Sequence, residues 1–223
     1  MLTKNYGQTG KEISAIGFGG MRFSKPQDQL ESAELILHAH CRGINYFDTA
    51  PLYCDDLSEE IMGAALSQLP RDSYYVSSKC SKHTASELRE SLEQSLTRLK
   101  VDTIDFFHVW HLMNPSDWQK RLQGGAIDAA IRAKEEGLIQ HLVCSSHMQG
   151  DELSAVLNEE IFEGVLLGYN VLNFPYRSAA VELAGAKGLG VVTMNPLAGG
   201  LIPQNPDRFA FLSENTEDNV VEA

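Results

Sequence analysis

Short apolar runs recur along the chain at 15–18, 44–47, 74–77, 104–109, 139–144, 165–169 and 190–194. Longer amphipathic segments separate them. Segment 28–42 carries Leu30, Ala33, Leu37 and Ala39 among polar residues, and 86–99 places Leu88, Leu92, Leu96 and Leu99 at helical spacing. Segments 117–136 and 179–187 read the same way. Apolar strands alternating with helices, at about 25–35 residues per unit, predict βαβ units and a parallel sheet. Pro115, Ser116 and Asp117 open one helix, which Gly137 closes. Gly43 and Gly188 stand where helices hand over to strands, as glycines just past a helix end should. Residues 3–13 contain glycine and predict a short hairpin before the first core strand.

The pattern has no low-complexity break, so residues 1–223 are expected to form one barrel domain. Segment 213–223, SENTEDNVVEA, offers capping residues and then the start of a helix. Helices of about one turn are marginal, and seven strands leave two unpaired edges in a barrel. The domain is therefore expected to be C-terminally incomplete, with the chain continuing beyond residue 223.

Charge and cysteines narrow the function classes. The chain has 18 basic and 30 acidic residues, a formal net charge of -12. Nucleic-acid phosphates demand a basic face, so no nucleic-acid partner is expected. A phosphate-bearing cofactor stays compatible, because a lysine and a few backbone amides suffice locally. Cys41, Cys54, Cys80 and Cys144 are far apart, with no C-x-x-C, and read as reduced packing thiols with no metal site. No apolar run suits a membrane helix, and 1–14 has no signal-peptide core, so a cytoplasmic location is expected.

The candidate chemistry lies at strand ends. In INYFDTAPLY the second strand ends at Asp48, and Tyr53 follows in the loop. The third ends at Lys79; the fourth ends in Trp110 and His111. The C-terminal ends of a parallel barrel form one rim, so these groups become neighbours. Free tyrosine is a poor acid at neutral pH; an adjacent ammonium favours the phenolate and lowers its pKa, while Asp48 would keep Lys79 charged. Tyr53 could then donate a proton to a carbonyl oxygen becoming an alkoxide. With no metal-ligand set and no activated nucleophile, the electrons are expected from an organic cofactor.

GFGGMRF at 17–23, GINYFDTAPLY at 43–53, SSKC at 77–80 and MNPLAGG at 194–200 resemble the aldo-keto reductase family over essentially the whole chain. The resemblance implies an (α/β)8 TIM barrel, with seven strands visible and the eighth missing from this chain. It implies reduction of an aldehyde or ketone by NADPH, with NADH as the alternative. It assigns Tyr53 as proton donor, Asp48, Lys79 and His111 as its partners, and a nucleotide site drawing on Gly19, Gly20, Met21, Asp48, Ser145, Ser146, Asn195, Leu197 and Gly199. Ser145 and Ser146 match positions that hold the nicotinamide carboxamide, the second commonly asparagine.

The sequence also departs from the family pattern. The strand-four pattern D-x-x-x-x-H, counted from Asp105, reaches Trp110, with His111 one residue late and His108 two early. Strand parity sends His108 and Trp110 to one face and His111 to the other. Either Trp110 replaces the histidine or His111 recovers its place through a bulge. Leu166 stands where glutamine is frequent, and Met194 where an aromatic often stacks on the nicotinamide. MNPLAGG resembles a branch with a ferredoxin-like tail, so an iron–sulfur cluster is expected only if a cysteine-rich tail follows residue 223. The rival reading is a nicotinamide-nucleotide-binding regulatory or sensor barrel with little turnover. GFGGM precedes no helical pattern and is not a Rossmann fingerprint.

Overall fold

The computed structural model describes residues 1–212. The start of a helix read in 213–223 lies outside them. A hairpin of β1 (Thr3–Asn5) and β2 (Glu12–Ser14) precedes seven parallel strands. These are β3 (Phe18–Gly19), β4 (Tyr46–Asp48), β5 (Tyr75–Cys80), β6 (Ile104–Leu112), β7 (Ile139–Ser146), β8 (Gly164–Gly168) and β9 (Gly190–Met194). They pair in chain order, β3 to β9, and no described strand covers the outer edges of β3 and β9. The helices are α1 (Gln29–Cys41), α2 (Ser58–Leu66), α3 (Ala85–Leu99), α4 (Pro115–Gln123), α5 (Ala126–Glu135), α6 (Gly150–Leu157) and α7 (Phe174–Ala186). Strands followed by helices in sequence order make this the (α/β)8 TIM-barrel architecture, with seven of its strands described.

Local chemistry starts and stops the helices. Asp28 accepts the Glu31 amide at the head of α1, and Thr84 accepts that of Glu87 at the head of α3. Asn114, with Pro115 in the first turn, caps α4. The single helix expected over 117–136 is two helices. Gly125 has φ 77°, and a Cβ on Gly124 would sit 2.1 Å from the His83 carbonyl oxygen. Helical periodicity continues across the break, so close approach by another segment, rather than the pattern, ends α4. Helix α7 begins at Phe174, earlier than expected, because Pro175 suits a first turn.

Side chains alternate across the strands. Phe47, Val76, Phe107, Cys144 and Leu167 face the helices in the main core. Tyr46, Phe106 and Val143 face inward and pack with Tyr6 and Ile13 of the hairpin. The hairpin floors the barrel. Tyr6 lies 4.5 Å from Phe106, centroid to centroid, and a Cβ at Gly164 or Gly190 would collide with its ring. Gln8 donates its backbone N–H to the Gly188 carbonyl, and Ser14 donates its own to Asn45 Oδ1 at 2.6 Å. The hairpin thus ties β9 to β4.

An ion pair clasps the same end. Arg71, in a 3-10 turn after α2, donates to Asp105 Oδ2 at 2.7 Å and to the Thr103 carbonyl at 2.9 Å. The Val76 amide donates to the same carboxylate at 2.8 Å.

Candidate active site at the C-terminal ends of the strands

Register places the site. Asp48 is level with Ser77, and Lys79 with His108. All four side chains follow the inward parity of Tyr46 and Phe106. Lys79 Nζ donates to Asp48 Oδ2 at 2.5 Å and to the Thr49 carbonyl at 2.6 Å. Burial pushes the Lys79 pKa below its usual value, and Asp48 opposes that shift. A lysine 1% exposed needs those two acceptors to stay charged.

Tyr53 stands in a tight turn after Pro51, in which Leu52, Cys54, Asp55 and Asp56 all have positive φ. The Asp56 carboxylate accepts the Leu52 amide at 2.9 Å and pins the turn. The Tyr53 ring centroid is 5.2 Å from Lys79 Nζ and 5.7 Å from the Trp110 ring, which meets it at 86°. Its hydroxyl makes no hydrogen bond among the described residues. Burial, and then the charge of Asp48, push its pKa above the usual tyrosine value, contrary to the lowering expected from Lys79. The ammonium faces the ring and directs its protons at Asp48 and Thr49, while the carboxylate opposes a phenolate. The phenol is accordingly neutral and protonated at ordinary pH.

Strand β6 separates Trp110 from His111. The β6–β7 register shifts between Val109 and Leu112, and His111 has φ 64°. The His111 ring lies 5.8 Å from that of Trp110, centroid to centroid. His111 is exposed, makes no hydrogen bond among the described residues, and is felt electrostatically at His147. Trp110 is the residue beside Tyr53. Among the expected proton-handling groups, His111 is the one for which no contact with Tyr53, Lys79 or Asp48 is found among the described residues.

His108 enters the constellation instead. It is fully buried, with Nε2 2.9 Å from Ser77 Oγ, and Ser77 Oγ donates to Asp48 Oδ1 at 2.7 Å. Strand parity pointed His108 inward, but nothing local marked Ser77 as its partner.

The expected nucleotide residues divide. Met21, Asn195 and Gly199 line a cleft of about 690 Å³ with Arg22, His147, Asn170, Asn173 and Arg177. Its lining holds no carboxylate, and neither arginine is in an ion pair among the described residues. Arg177 donates to the His147 carbonyl at 2.9 Å. Burial, and then Arg177 and His111, lower the His147 pKa. Ser145 follows the inward parity of Val143, but Ser146 points outward. Ser146 Oγ donates to the Leu112 carbonyl and accepts the Met148 amide, each at 3.0 Å, which commits its hydroxyl proton and one of its two lone pairs to the fold. Gly19 is open, whereas a Cβ on Gly20 would meet Ser58 Oγ at 2.6 Å, so packing of α2 requires that glycine. Leu197 is 56% exposed at the head of a short turn beside the cleft. The sequence reading did not single out Arg22, although it stands within GFGGMRF, or Arg177, which lies in none of the motifs.

Among the described residues there is no cluster suited to a metal ion, and no helix long and apolar enough to cross a membrane. The chain is 29% identical over 214 residues to L-galactose dehydrogenase of Arabidopsis thaliana, covering 89% of this chain and 66% of that protein. It is 28% identical over 208 residues to the NADH-specific methylglyoxal reductase of Escherichia coli K12, covering 84% and 63%. The chain thus spans just under two thirds of the length of these relatives. An aldo-keto reductase of Bacillus halodurans, solved in its holo form, superposes with TM-score 0.82 at 22% identity, covering 99% of this chain and 79% of that one; this likeness shows the fold. The model of the aldo/keto reductase family matches residues 15–220, and the chain belongs to that family.

Proposed function

We propose that the protein is an oxidoreductase that reduces an aldehyde or ketone to an alcohol with NADPH, Tyr53 being the proton donor. The observation that carries this reading is a protonated phenol, without a hydrogen-bond partner among the described residues, beside a buried Lys79–Asp48 pair at the strand ends. The cleft lined by Arg22 and Arg177 suits the phosphates of a dinucleotide in a chain that is otherwise acidic. Met21, Ser145, Asn195 and Gly199 would hold such a cofactor with them. When bound, the nicotinamide supplies the hydride that reaches the carbonyl carbon.

This chain's residues handle the other half of the reaction. Tyr53 gives its phenolic proton to the carbonyl oxygen as negative charge builds there. Lys79 lies close enough to stabilise the phenolate left behind, and Asp48 keeps the ammonium charged and aimed. Trp110 walls the phenol from the side and shapes the approach of the substrate.

The test is turnover of a panel of simple aldehydes and ketones with NADPH and with NADH, read as loss of reduced-nicotinamide absorbance. Turnover by wild type that disappears in Tyr53→Phe supports the reading. Nucleotide binding with no turnover on any carbonyl would favour a sensor or regulatory barrel.

A further inference from the structure

His108 is enclosed by three strands, touching β5 through Ser77, β4 through Asp48 and β7 through the Cys144 carbonyl. Its Nε2 lies 2.9 Å from Ser77 Oγ and 3.9 Å from Asp48 Oδ1, and its Nδ1 lies 3.4 Å from the Cys144 oxygen. A carboxylate only accepts, so the single hydroxyl proton of Ser77 belongs to the 2.7 Å contact with Asp48. Ser77 then offers His108 a lone pair, and Nε2 must carry the imidazole proton. The other tautomer would leave a bare hydroxyl oxygen against a carboxylate at 2.7 Å, in exchange for a 3.4 Å contact with a neutral carbonyl. The charge-assisted bond is the stronger, and it decides the tautomer.

We infer that His108 is a positioning residue, acting through the Ser77 hydroxyl to hold Asp48 in the orientation that presents Oδ2 to Lys79. The donors run in one direction, Nε2–H to Oγ and O–H to Oδ1, and each bond polarises the next toward the carboxylate. Asp48 Oδ2 thereby stays turned to Lys79, and the buried lysine keeps its acceptor. This role rests on the reading of Tyr53, Lys79 and Asp48 as the proton-delivering group, while the tautomer itself does not.

The titratable groups around the chain are Asp48 and Tyr46 on β4, Lys79 on β5, Cys144 on β7, Tyr6 of the hairpin, Tyr53 of the loop and Glu59 of α2. Burial holds Tyr6, Tyr46 and Cys144 neutral by raising their pKa values. Burial, and then Lys79, press the His108 pKa down to about 3, so it does not take a second proton. Glu59 is engaged by Ser78 and Arg98, which leaves Asp48 as the acceptor for Lys79.

The test uses the whole chain without nucleotide, followed by turnover. Nitrogen NMR of the labelled imidazole is expected to show an Nε2–H tautomer that does not titrate between about pH 5 and 9, where an ordinary histidine would. In His108→Leu the Lys79 ammonium is expected to titrate about one pH unit lower than in wild type, the scale of one hydrogen bond to a charged group. The alkaline limb of turnover should move by the same amount, with KM for the carbonyl within about twofold. His108→Gln sets an amide nitrogen near the Nε2 position and should restore both. If the leucine variant does not fold, Ser77→Ala cuts the same chain from its other end and should lower the Lys79 titration equally. An Nδ1–H tautomer, or a Lys79 titration unchanged in folded His108→Leu or Ser77→Ala, would overturn the inference. An absence of turnover in wild type would overturn the functional reading while leaving the NMR result to stand alone.

Discussion

Asp105 and Asp48 are both strand carboxylates paired with a cation, one at the start of β6 and the other at the end of β4. Their exposures are reversed. Beneath the barrel the carboxylate is 3% exposed and its arginine 41%; at the rim the carboxylate is 19% exposed and its lysine 1%. Arg71 satisfies backbone carbonyls as well as Asp105, and Asp105 takes a strand amide, so the lower pair is a clasp whose polar groups are spent on one another and on the backbone, although both residues line a cavity of about 880 Å³. The upper pair sets a buried ammonium 5.2 Å from the ring centroid of Tyr53, whose hydroxyl makes no hydrogen bond among the described residues. Burial sets the leading shift in each pair, raising Asp105 despite Arg71 and lowering Lys79 despite Asp48. Similar chemistry thus serves cohesion at one end and, in our proposal, proton delivery at the other. A barrel divides stability and catalysis between its two faces in this way.

The largest effect expected from breaking this contrast is at Tyr53. Tyr53→Phe should lower carbonyl reduction by roughly 10²–10⁴, the span of general acid catalysis, with nucleotide affinity nearly intact. Steady-state kinetics and nucleotide titration check both parts, and wild-type-like turnover would remove Tyr53 from the mechanism. Lys79→Met removes the positive charge 5.2 Å from the Tyr53 ring centroid, so the apparent pKa governing turnover should rise. An unchanged pH–rate profile would mean that the lysine acts in packing alone.

Asp105→Asn sharpens the comparison from the other end. It should destabilise the fold by about 1–2 kcal/mol, through the loss of a charged hydrogen bond, and leave turnover per folded molecule unchanged. Denaturant melts and active-site titration separate these outcomes; a shifted pH–rate profile would show that the two ends are coupled. Within the rim, Trp110→Ala should raise the carbonyl KM by about tenfold, the worth of a modest aromatic contact, while His111→Ala changes kinetics by less than about twofold. The reverse ranking would return His111 to the site.

The smallest effect concerns a third pair. Burial raises the Glu163 pKa, but hydrogen bonds from His141 and Lys134 outweigh it and bring it to about 2. A carboxylate with a depressed folded pKa adds stability above its unfolded value, and that stability is lost as pH falls. Stability should therefore decline between about pH 5 and 2, by roughly 1–2 kcal/mol after solvent screening is discounted, and Glu163→Gln should flatten that part of the curve. An equally steep decline in the variant would assign the acid sensitivity elsewhere.

Much of this molecule follows from short-range pattern. Alternating apolar runs and amphipathic segments locate all seven parallel strands within a few residues, because side-chain burial on one face is a property of neighbouring positions. Asp48, Tyr53 and Lys79 could be placed together because parallel strands of a barrel end on one rim. Tertiary structure decided what depends on distant segments. His83 pressing on Gly124 broke the helix expected over 117–136, and a register shift against β7 falls where Trp110 packs on Tyr53. Burial and the Asp48 charge reversed the expected pKa shift of Tyr53. The chain from His108 through Ser77 to Asp48 exists because β4, β5 and β6 lie side by side at one height. Spacing along a chain reports which residues share a face; distances, desolvation and proton positions are sums over neighbours that only the closed packing brings within reach.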